Sequence, residues 1–154
     1  MRMKKLLLLF LLLPLTAKAD YWVQKANVGG LNRADATGFS INGKGYMGPG
    51  YSGTYQSDWW EYDPATDSWT QKASYPGGGI VEAVSFAIGA YGYVVASPAS
   101  NDVYRYDPAS NTWTAMAPFP GGTRQAAVAF TINNKGYVCT GMGFGLDYND
   151  LWEY

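Results

Sequence analysis

The chain has 154 residues, a formal net charge of −1, a single cysteine and no histidine. Without histidine it lacks the commonest general base and the commonest metal ligand, and we expect no cofactor and no metal site. One cysteine excludes an intrachain disulfide.

The first nineteen residues have the pattern of a secretory signal peptide. A basic stretch at residues 2–5 precedes the apolar run Leu6–Leu15, and Ala17-Lys18-Ala19 is a small-x-small cleavage site. A run of ten residues interrupted by Pro14 is too short to span a bilayer. We therefore predict export to the periplasm or the extracellular space, with no membrane span after cleavage. Residues 20–154 keep seven of the eleven basic side chains against twelve acidic ones, a net charge of −5, which argues against a nucleic-acid partner.

A hairpin pattern recurs along the chain and organises it. The stretch Asp58–Trp69 returns 44 residues later as Asp102–Trp113, and Asp150–Tyr154 begins a third copy. Each full copy is two aromatic-rich strands around an Asp-Pro turn, in which the Asp side chain accepts hydrogen bonds and Pro fixes φ. Trp22–Ala26 falls one repeat before Trp69–Ala73. Self-similarity at this period predicts a propeller or a solenoid.

Each repeat predicts four strands. The first strands are predicted at Arg33–Ile41, Ile80–Ile88 and Arg124–Ile132. Large apolar residues alternate there with small ones, so both faces are covered and we place these strands innermost, near a propeller axis. After a tight turn, the second strands are predicted at Gly45–Gly48, Gly92–Ala96 and Gly136–Thr140. The third and fourth strands are the recurring hairpin.

These repeats resemble the Kelch repeat. That family's blade has glycines after its second strand, then a Tyr and a Trp with six residues between them. Tyr62 and Trp69 keep this spacing, as do Tyr106 and Trp113, and Tyr154 supplies the Tyr of a third blade. The resemblance implies an all-β Kelch-like propeller, with three four-stranded blades visible of a six- or seven-bladed ring. We predict a blade-closing strand at 20–26 and blades at about 33–73, 80–117 and 124–154.

The two ends of the sequence are complementary halves of one blade. Trp22–Ala26 has the pattern of a fourth strand, and Asp150–Tyr154 that of a third. Three blades are fewer than the four to eight that are typical of propellers. Two interpretations stay open: the sequence is part of a longer propeller, or two chains close a six-bladed ring as a homodimer. The unpaired strand edge at an open repeat end favours the longer propeller.

The candidate binding surface is the long-loop face, which we define as the loops Gly50–Ser57 and Gly143–Asn149 with the Pro-Gly-Gly connections between blades. Irregular loops on a rigid scaffold often carry function, although solvated filler between strands is the alternative. Candidate binding residues there are Tyr51, Tyr55, Asp147 and Tyr148. Trp59 breaks the repeat, because its counterparts are Val103 and Leu151, and is the one Trp predicted to stack on a ligand.

Charged residues recur at the start of the first strands. Arg33 and Arg124 occupy equivalent positions, and Asp35 and Glu82 are equivalent to each other two residues further on. A ring of guanidinium and carboxylate groups at a channel mouth would bind a sugar or an acidic ligand through bidentate hydrogen bonds. The alternative is a set of blade-to-blade ion pairs that position the connecting loops.

Two functions stay open at this point. The first is an exported, non-catalytic binding or scaffolding module that recognises a glycan or a protein through the long-loop face. The second follows from the resemblance, because periplasmic sialic-acid mutarotases are exported Kelch propellers with acid/base and arginine groups at the channel mouth. Glu82, Arg33 and Arg124 are compatible with such a catalytic ring for anomer isomerisation. Galactose-oxidase-like copper enzymes, a further class with this resemblance, need histidine ligands, which the sequence lacks.

Overall fold

The protein is all-β over the residues that the structure describes. The computed structural model describes residues 20–154, so the predicted signal peptide lies outside the described residues. This part of the chain contains thirteen strands and no helix. Accordingly, none of its elements is a helix that could span a membrane.

The first two repeats each form a four-stranded antiparallel sheet, with the strands in chain order. The strands of blade 1 are β1 (Thr37–Ile41), β2 (Lys44–Gly48), β3 (Trp59–Asp63) and β4 (Ser68–Lys72). Those of blade 2 are β5 (Val84–Ile88), β6 (Tyr91–Val95), β7 (Val103–Asp107) and β8 (Thr112–Ala115). Both blades therefore have the up-and-down order that the recurring hairpin predicted.

The third repeat forms a sheet of three strands, so the expectation of three four-stranded blades is met in two of them. Its strands are β9 (Val128–Ile132), β10 (Lys135–Cys139) and β13 (Leu151–Glu153). The sequence reaches only the third strand of this repeat, at Tyr154. A short hairpin that the sequence did not predict, β11 (Met142–Gly143) and β12 (Leu146–Asp147), lies in the loop before β13.

The first strand of each blade begins four residues later than predicted. The reason is a left-handed residue at the same position in every repeat: Asp35 has φ 56°, Glu82 φ 54° and Ala126 φ 53°. A residue in this region of φ/ψ space cannot continue an extended strand. The residues before it bridge to the long-loop face instead, as in the pairs Ala34–Tyr51 and Gln125–Met142.

The first strands lie side by side, which their alternation of large and small residues predicted. Thr37 Oγ1 and Ser85 Oγ are 2.8 Å apart, and Ser85 Oγ donates to the Gly38 carbonyl at 2.8 Å. Thr131 Oγ1 donates to the Ala87 carbonyl at 2.8 Å in the same way. The small side chains allow the close approach, and their hydroxyls link β1, β5 and β9 across the blades.

The large residues of the first strands pack on glycines of the next blade. A Cβ built on Gly92 would fall within the Phe39 ring, and one built on Gly136 would fall within the Phe86 ring. The recurring Gly-Tyr pair of the second strand is thus explained, because only glycine leaves room for the neighbouring phenylalanine.

A second contact between blades involves the Trp of each fourth strand. Trp113 Nε1 donates to the Ala73 carbonyl at 2.9 Å, and the Ala73 amide donates to Asn111 Oδ1 at 2.9 Å. This pair of hydrogen bonds fastens the end of blade 1 onto blade 2. The same pair recurs one repeat earlier, with Trp69 donating to Ala26 at 3.0 Å and the Ala26 amide donating to Asp67 at 3.1 Å.

The predicted blade-closing strand at 20–26 is not formed within the chain. Residues 20–36 form no strand, and the side chain of Trp22 is fully exposed. The end of this segment contacts blade 1 through the hydrogen bonds of Ala26 and through Lys25, whose Nζ lies 4.0 Å from Asp67. The physical reason is that a strand needs a partner edge, and none of the described strands lies beside residues 22–25.

The core consists of two clusters, one at each junction between blades. Between blades 1 and 2, Trp59 and Tyr106 are fully buried together with Val94. Between blades 2 and 3, Phe86, Tyr93 and Phe119 are the largest buried residues. Each blade is therefore stabilised mainly through its neighbour, as expected of a repeat architecture.

Candidate functional site

Arg33 spans the base of the long loop of blade 1. Its guanidinium makes a bidentate pair with Asp58, with both N–O distances 2.6 Å, and Nη1 also donates to the Pro49 carbonyl at 2.8 Å. Pro49 and Asp58 are the two ends of the loop between β2 and β3. Trp60 Nε1 completes the arrangement by donating to Asp58 at 2.6 Å. We call this arrangement the arginine clamp.

Arg124 forms the same clamp in blade 3. It pairs with Asp150 at 2.8 and 2.9 Å and donates to the Thr140 carbonyl at 2.8 Å, which again joins the two ends of the long loop. The guanidinium lies between the rings of Phe119 and Tyr148, 4.8 and 4.5 Å from their centroids. Such stacking is favourable for a desolvated cation, and the Arg124 side chain is fully buried.

The clamps show how the two repeated arginines are paired in this structure. They form ion pairs, as the alternative had it, but each pair lies within one blade and the partner is neither Asp35 nor Glu82. The Arg33 guanidinium lowers the pKa of the Asp58 carboxyl, and Arg124 lowers the pKa of Asp150 to about 2. Both carboxylates stay ionised at neutral pH, and both arginine charges are already compensated.

Sequence reasoning missed Asp58 and Asp150 as the partners of the arginines. A signal was present, because an Asp stands directly before the third strand in all three repeats, at 58, 102 and 150. In blade 2 the position of the arginine is taken by Ile80, which is buried. The pairing therefore becomes visible when the arginine and the aspartate positions are compared blade by blade.

Asp35 and Glu82 come together at the junction between blades 1 and 2. The Glu82 amide donates to the Asp35 carbonyl at 3.1 Å, so the two residues lie next to each other at the long-loop end of β1 and β5. Asp35 is exposed and Glu82 half-buried. Ala126 occupies the third equivalent position, so the described blades supply two carboxylates to this end of the array. Within residues 20–154, no group of three or more potential metal-ligating side chains is found.

Trp59 does not reach the surface, which corrects its prediction as a ligand-stacking residue. Its side chain has no exposed area, and its ring lies 5.3 Å from Phe39 and 5.2 Å from Trp113. Because the side chains of β3 alternate between two faces, the extra Trp points into the junction with blade 2. Trp59 therefore fills the core at a position where the other two repeats have Val103 and Leu151.

Tyr51 and Tyr55 lie on the long-loop face, where they were predicted. Their side chains are 43% and 63% exposed, and their rings meet edge to face at 5.5 Å. Tyr51 exchanges two backbone hydrogen bonds with Ala34, both of 2.9 Å, and Tyr55 packs against Gly79 in the connection to blade 2. Both rings are therefore held on backbone that is anchored to the blade.

The hairpin β11–β12 gives the long-loop face its most exposed apolar side chains. Phe144, at the hairpin tip, is 90% exposed, and Leu146 is 67% exposed. Asp147 is exposed beside them, whereas Tyr148 is half-buried against Arg124. Asp147 therefore stays available to a ligand, and Tyr148 belongs to the clamp.

A cleft of about 280 Å³ separates this hairpin from blade 2. Its walls combine apolar and polar side chains, namely Pro98, Thr123, Gln125, Met142 and Phe144. The Gln125 amide lies 3.1 Å from the Met142 sulfur, a weak acceptor, and so keeps hydrogen-bonding capacity for a ligand. The long-loop face thus contains one concave site of the size of a small ligand, beside an exposed aromatic ring.

The fold and its repeated contacts define a class of protein, the β-propeller made of four-stranded antiparallel blades. A family model described as the Kelch motif matches residues 90–120, which include β6, β7 and β8. A solved structure titled "Structure of YjhT" is 30% identical with a TM-score of 0.62. That alignment covers 72% of this chain and 36% of that chain, so the match spans about a third of the length of YjhT.

The chain thus contains a Kelch motif and is similar to a solved chain over 72% of its own length, in agreement with the resemblance of its repeats to the Kelch repeat. The all-β, Kelch-like blade fold is confirmed with it. The search of curated proteins found no match.

Proposed function

We propose that the protein is an exported glycan-binding module, with its ligand in the cleft of the long-loop face. The observation that carries the proposal is the exposed Phe144 ring, held at the edge of a cleft that Thr123 and Gln125 also line. The apolar faces of sugar rings pack on aromatic rings, while sugar hydroxyls need donors and acceptors of this kind. Small-ligand sites combine apolar walls with a few polar groups in the same way.

The clamp of blade 3 supports this proposal because it makes the hairpin rigid. Arg124 joins Thr140 to Asp150, the residues at which the hairpin loop leaves and rejoins the sheet. An exposed side chain on ordered backbone loses less conformational freedom on binding than one on a mobile loop. The Tyr51–Tyr55 pair provides a second aromatic surface on the same face for a longer glycan. Export is supported by the signal-peptide pattern of residues 1–19.

A glycan array followed by calorimetry tests the proposal. We expect wild-type protein to bind a defined set of glycans, and Phe144→Ala and Gln125→Ala each to weaken that binding at least about tenfold. The matched control is Tyr91→Ala, which removes a partly exposed aromatic ring at the start of β6, on the short-turn side of blade 2. Equal affinity of Phe144→Ala and wild type would contradict the site.

A protein ligand is the other outcome of this test. If no glycan binds, a photo-crosslinking residue at position 144 should capture one protein partner, and the same residue at position 91 should not. That result would assign the exposed Phe144 and Leu146 to a protein interface, where exposed apolar patches are common.

A sugar-isomerising enzyme of mutarotase type is the second candidate. It is favoured by the hydrogen bond that brings Asp35 and Glu82 together between blades 1 and 2. Two groups of its predicted catalytic ring, Arg33 and Arg124, are engaged in the clamps, which is why we place binding first. NMR exchange between the anomers of N-acetylneuraminic acid distinguishes the two functions. Acceleration by wild type that Glu82→Gln abolishes would establish the enzyme, whereas equal rates with and without protein support the binding module.

A further inference from the structure

Met142 lines the cleft of the long-loop face and is the most exposed methionine of residues 20–154. It is 41% exposed, whereas Met47 and Met116 are half-buried. Met116 also packs against the core cluster between blades 2 and 3. Oxidants convert a methionine to its sulfoxide by direct attack at the sulfur, so access to the sulfur governs the rate. Met142 is therefore the methionine that an oxidant reaches first.

The exposure of Met142 belongs to its position in the blade. Tyr51 has the same position in blade 1, because Tyr51 bridges Ala34 as Met142 bridges Gln125. Tyr51 is 43% exposed although blade 2 packs against blade 1. A neighbouring blade thus leaves the side chain at this position accessible. Blade 3 differs in placing a thioether where blade 1 has an aromatic ring.

Gln125 holds the sulfur on the wall of the cleft. The backbones of Gln125 and Met142 exchange two hydrogen bonds, both of 2.9 Å, and Gln125 Nε2 lies 3.1 Å from Met142 Sδ. A thioether sulfur is a weak acceptor. A sulfoxide is polar, and its oxygen carries a partial negative charge that makes it a much stronger acceptor. The donor that a sulfoxide at this position needs is already in place.

From this geometry we propose that Met142 is a reversible oxidation site, whose sulfoxide accepts the Gln125 amide and lowers the affinity of the cleft for its ligand. The oxidant is a peroxide. A lone pair of Sδ attacks one peroxide oxygen, so that an S–O bond forms while the O–O bond breaks. The sulfur loses two electrons and the peroxide gains them. With hydrogen peroxide, the proton of the transferred oxygen passes to the leaving hydroxide, which departs as water.

The sulfoxide changes the cleft in two ways. It replaces part of an apolar wall with a polar group, as methionine oxidation does elsewhere in proteins. It also engages the amide of Gln125, which otherwise has hydrogen-bonding capacity for a ligand. Both changes weaken the binding of a ligand that packs apolar surface beside Phe144. This consequence rests on the proposed function, whereas the modification itself does not.

Peptide mass spectrometry of the full chain after graded treatment with hydrogen peroxide tests the modification. We expect the sulfoxide to form at Met142 at least about threefold faster than at Met47 or Met116. The side-chain amide protons of Gln125 should move downfield in NMR spectra as Met142 converts, because their acceptor becomes stronger. Met142→Leu, a change of similar volume, should not show this shift. Equal rates at the three methionines, or unchanged Gln125 resonances, would overturn the proposal.

Calorimetry with the tightest-binding glycan of the array, before and after peroxide, tests the effect on the cleft. The affinity of wild type and of the control Met116→Leu should fall at least about fivefold and return after treatment with methionine sulfoxide reductases. Met142→Leu should bind equally before and after peroxide, whatever its starting affinity. An unchanged affinity of fully oxidised wild type would overturn the effect while glycan binding stands. Failure of the untreated protein to bind any glycan would instead contradict the proposed function, and the mass and NMR measurements would still decide the modification.

Discussion

The loop between the second and third strands is long and clamped in blades 1 and 3, and short and unclamped in blade 2. In blade 1, Arg33 joins Pro49 to Asp58 across the loop base, and Arg124 does the same in blade 3. In blade 2, the short loop closes on itself, with the Ser97 amide donating to the Ser100 carbonyl at 2.7 Å. The arginine position there holds the buried Ile80.

This difference indicates what the arginines are for. A longer loop costs more conformational entropy to order, so its ends need an additional constraint. The bidentate pair supplies that constraint where the loop is long, and apolar packing of Ile80 is sufficient where it is short. The arginines therefore act as structural supports of the long-loop face.

The largest effect should follow from breaking the buried clamp. Arg124→Met leaves Asp150 without its partner and frees the Thr140 carbonyl, and we expect a loss of about 3–5 kcal/mol in the free energy of unfolding. Urea denaturation measures it. Arg105→Met is the control, because Arg105 of blade 2 is half-buried but forms no salt bridge within the described residues. Equal losses in the two variants would show that the clamp adds nothing beyond packing.

Replacing the arginine clamp of blade 1 with the apolar residue found in blade 2 should lower the free energy of unfolding by a smaller amount. Arg33→Ile alone leaves an unpaired carboxylate, whereas Arg33→Ile with Asp58→Asn removes the charge as well. We expect the double variant to recover at least about half of the stability that the single one loses. Amide hydrogen exchange at residues 50–57 should still be faster than in wild type, because the loop base is no longer clamped. Unchanged exchange would mean that the long loop does not need its clamp.

The smallest expected effect is the dependence of stability on acid pH that comes from the Arg124–Asp150 pair of blade 3. The pKa of Asp150 in the folded protein is about 2, below the ordinary value of about 3.9 for an unfolded Asp. A lowered pKa means that the ion pair stabilises the protein above about pH 4, and that this contribution is lost as pH falls toward 2. The stability difference between wild type and Asp150→Asn should therefore be constant at pH 5–7 and shrink below pH 4. A difference that persists at pH 2 would point to packing.

The blades themselves were predictable from the sequence. The spacing of Tyr62 and Trp69, and its return at Tyr106 and Trp113, located the hairpins to within a residue or two. The alternation around Phe39 and Phe86 identified the strands that lie side by side. These features are local and recur, so side-chain period and repeat register were sufficient to find them.

The site depended on contacts between residues far apart in the chain. Arg33 meets Asp58 rather than Asp35 because a left-handed residue at 35 turns the chain away from the strand, and no residue type announces that turn. Trp59 is buried because blade 2 covers it, which the pattern of blade 1 alone does not contain. The chain's own residues determined a row of Kelch blades. Tertiary packing decided which carboxylates pair with the arginines, and which aromatic rings are buried or exposed. The physical reason is that burial and pairing depend on neighbours in space.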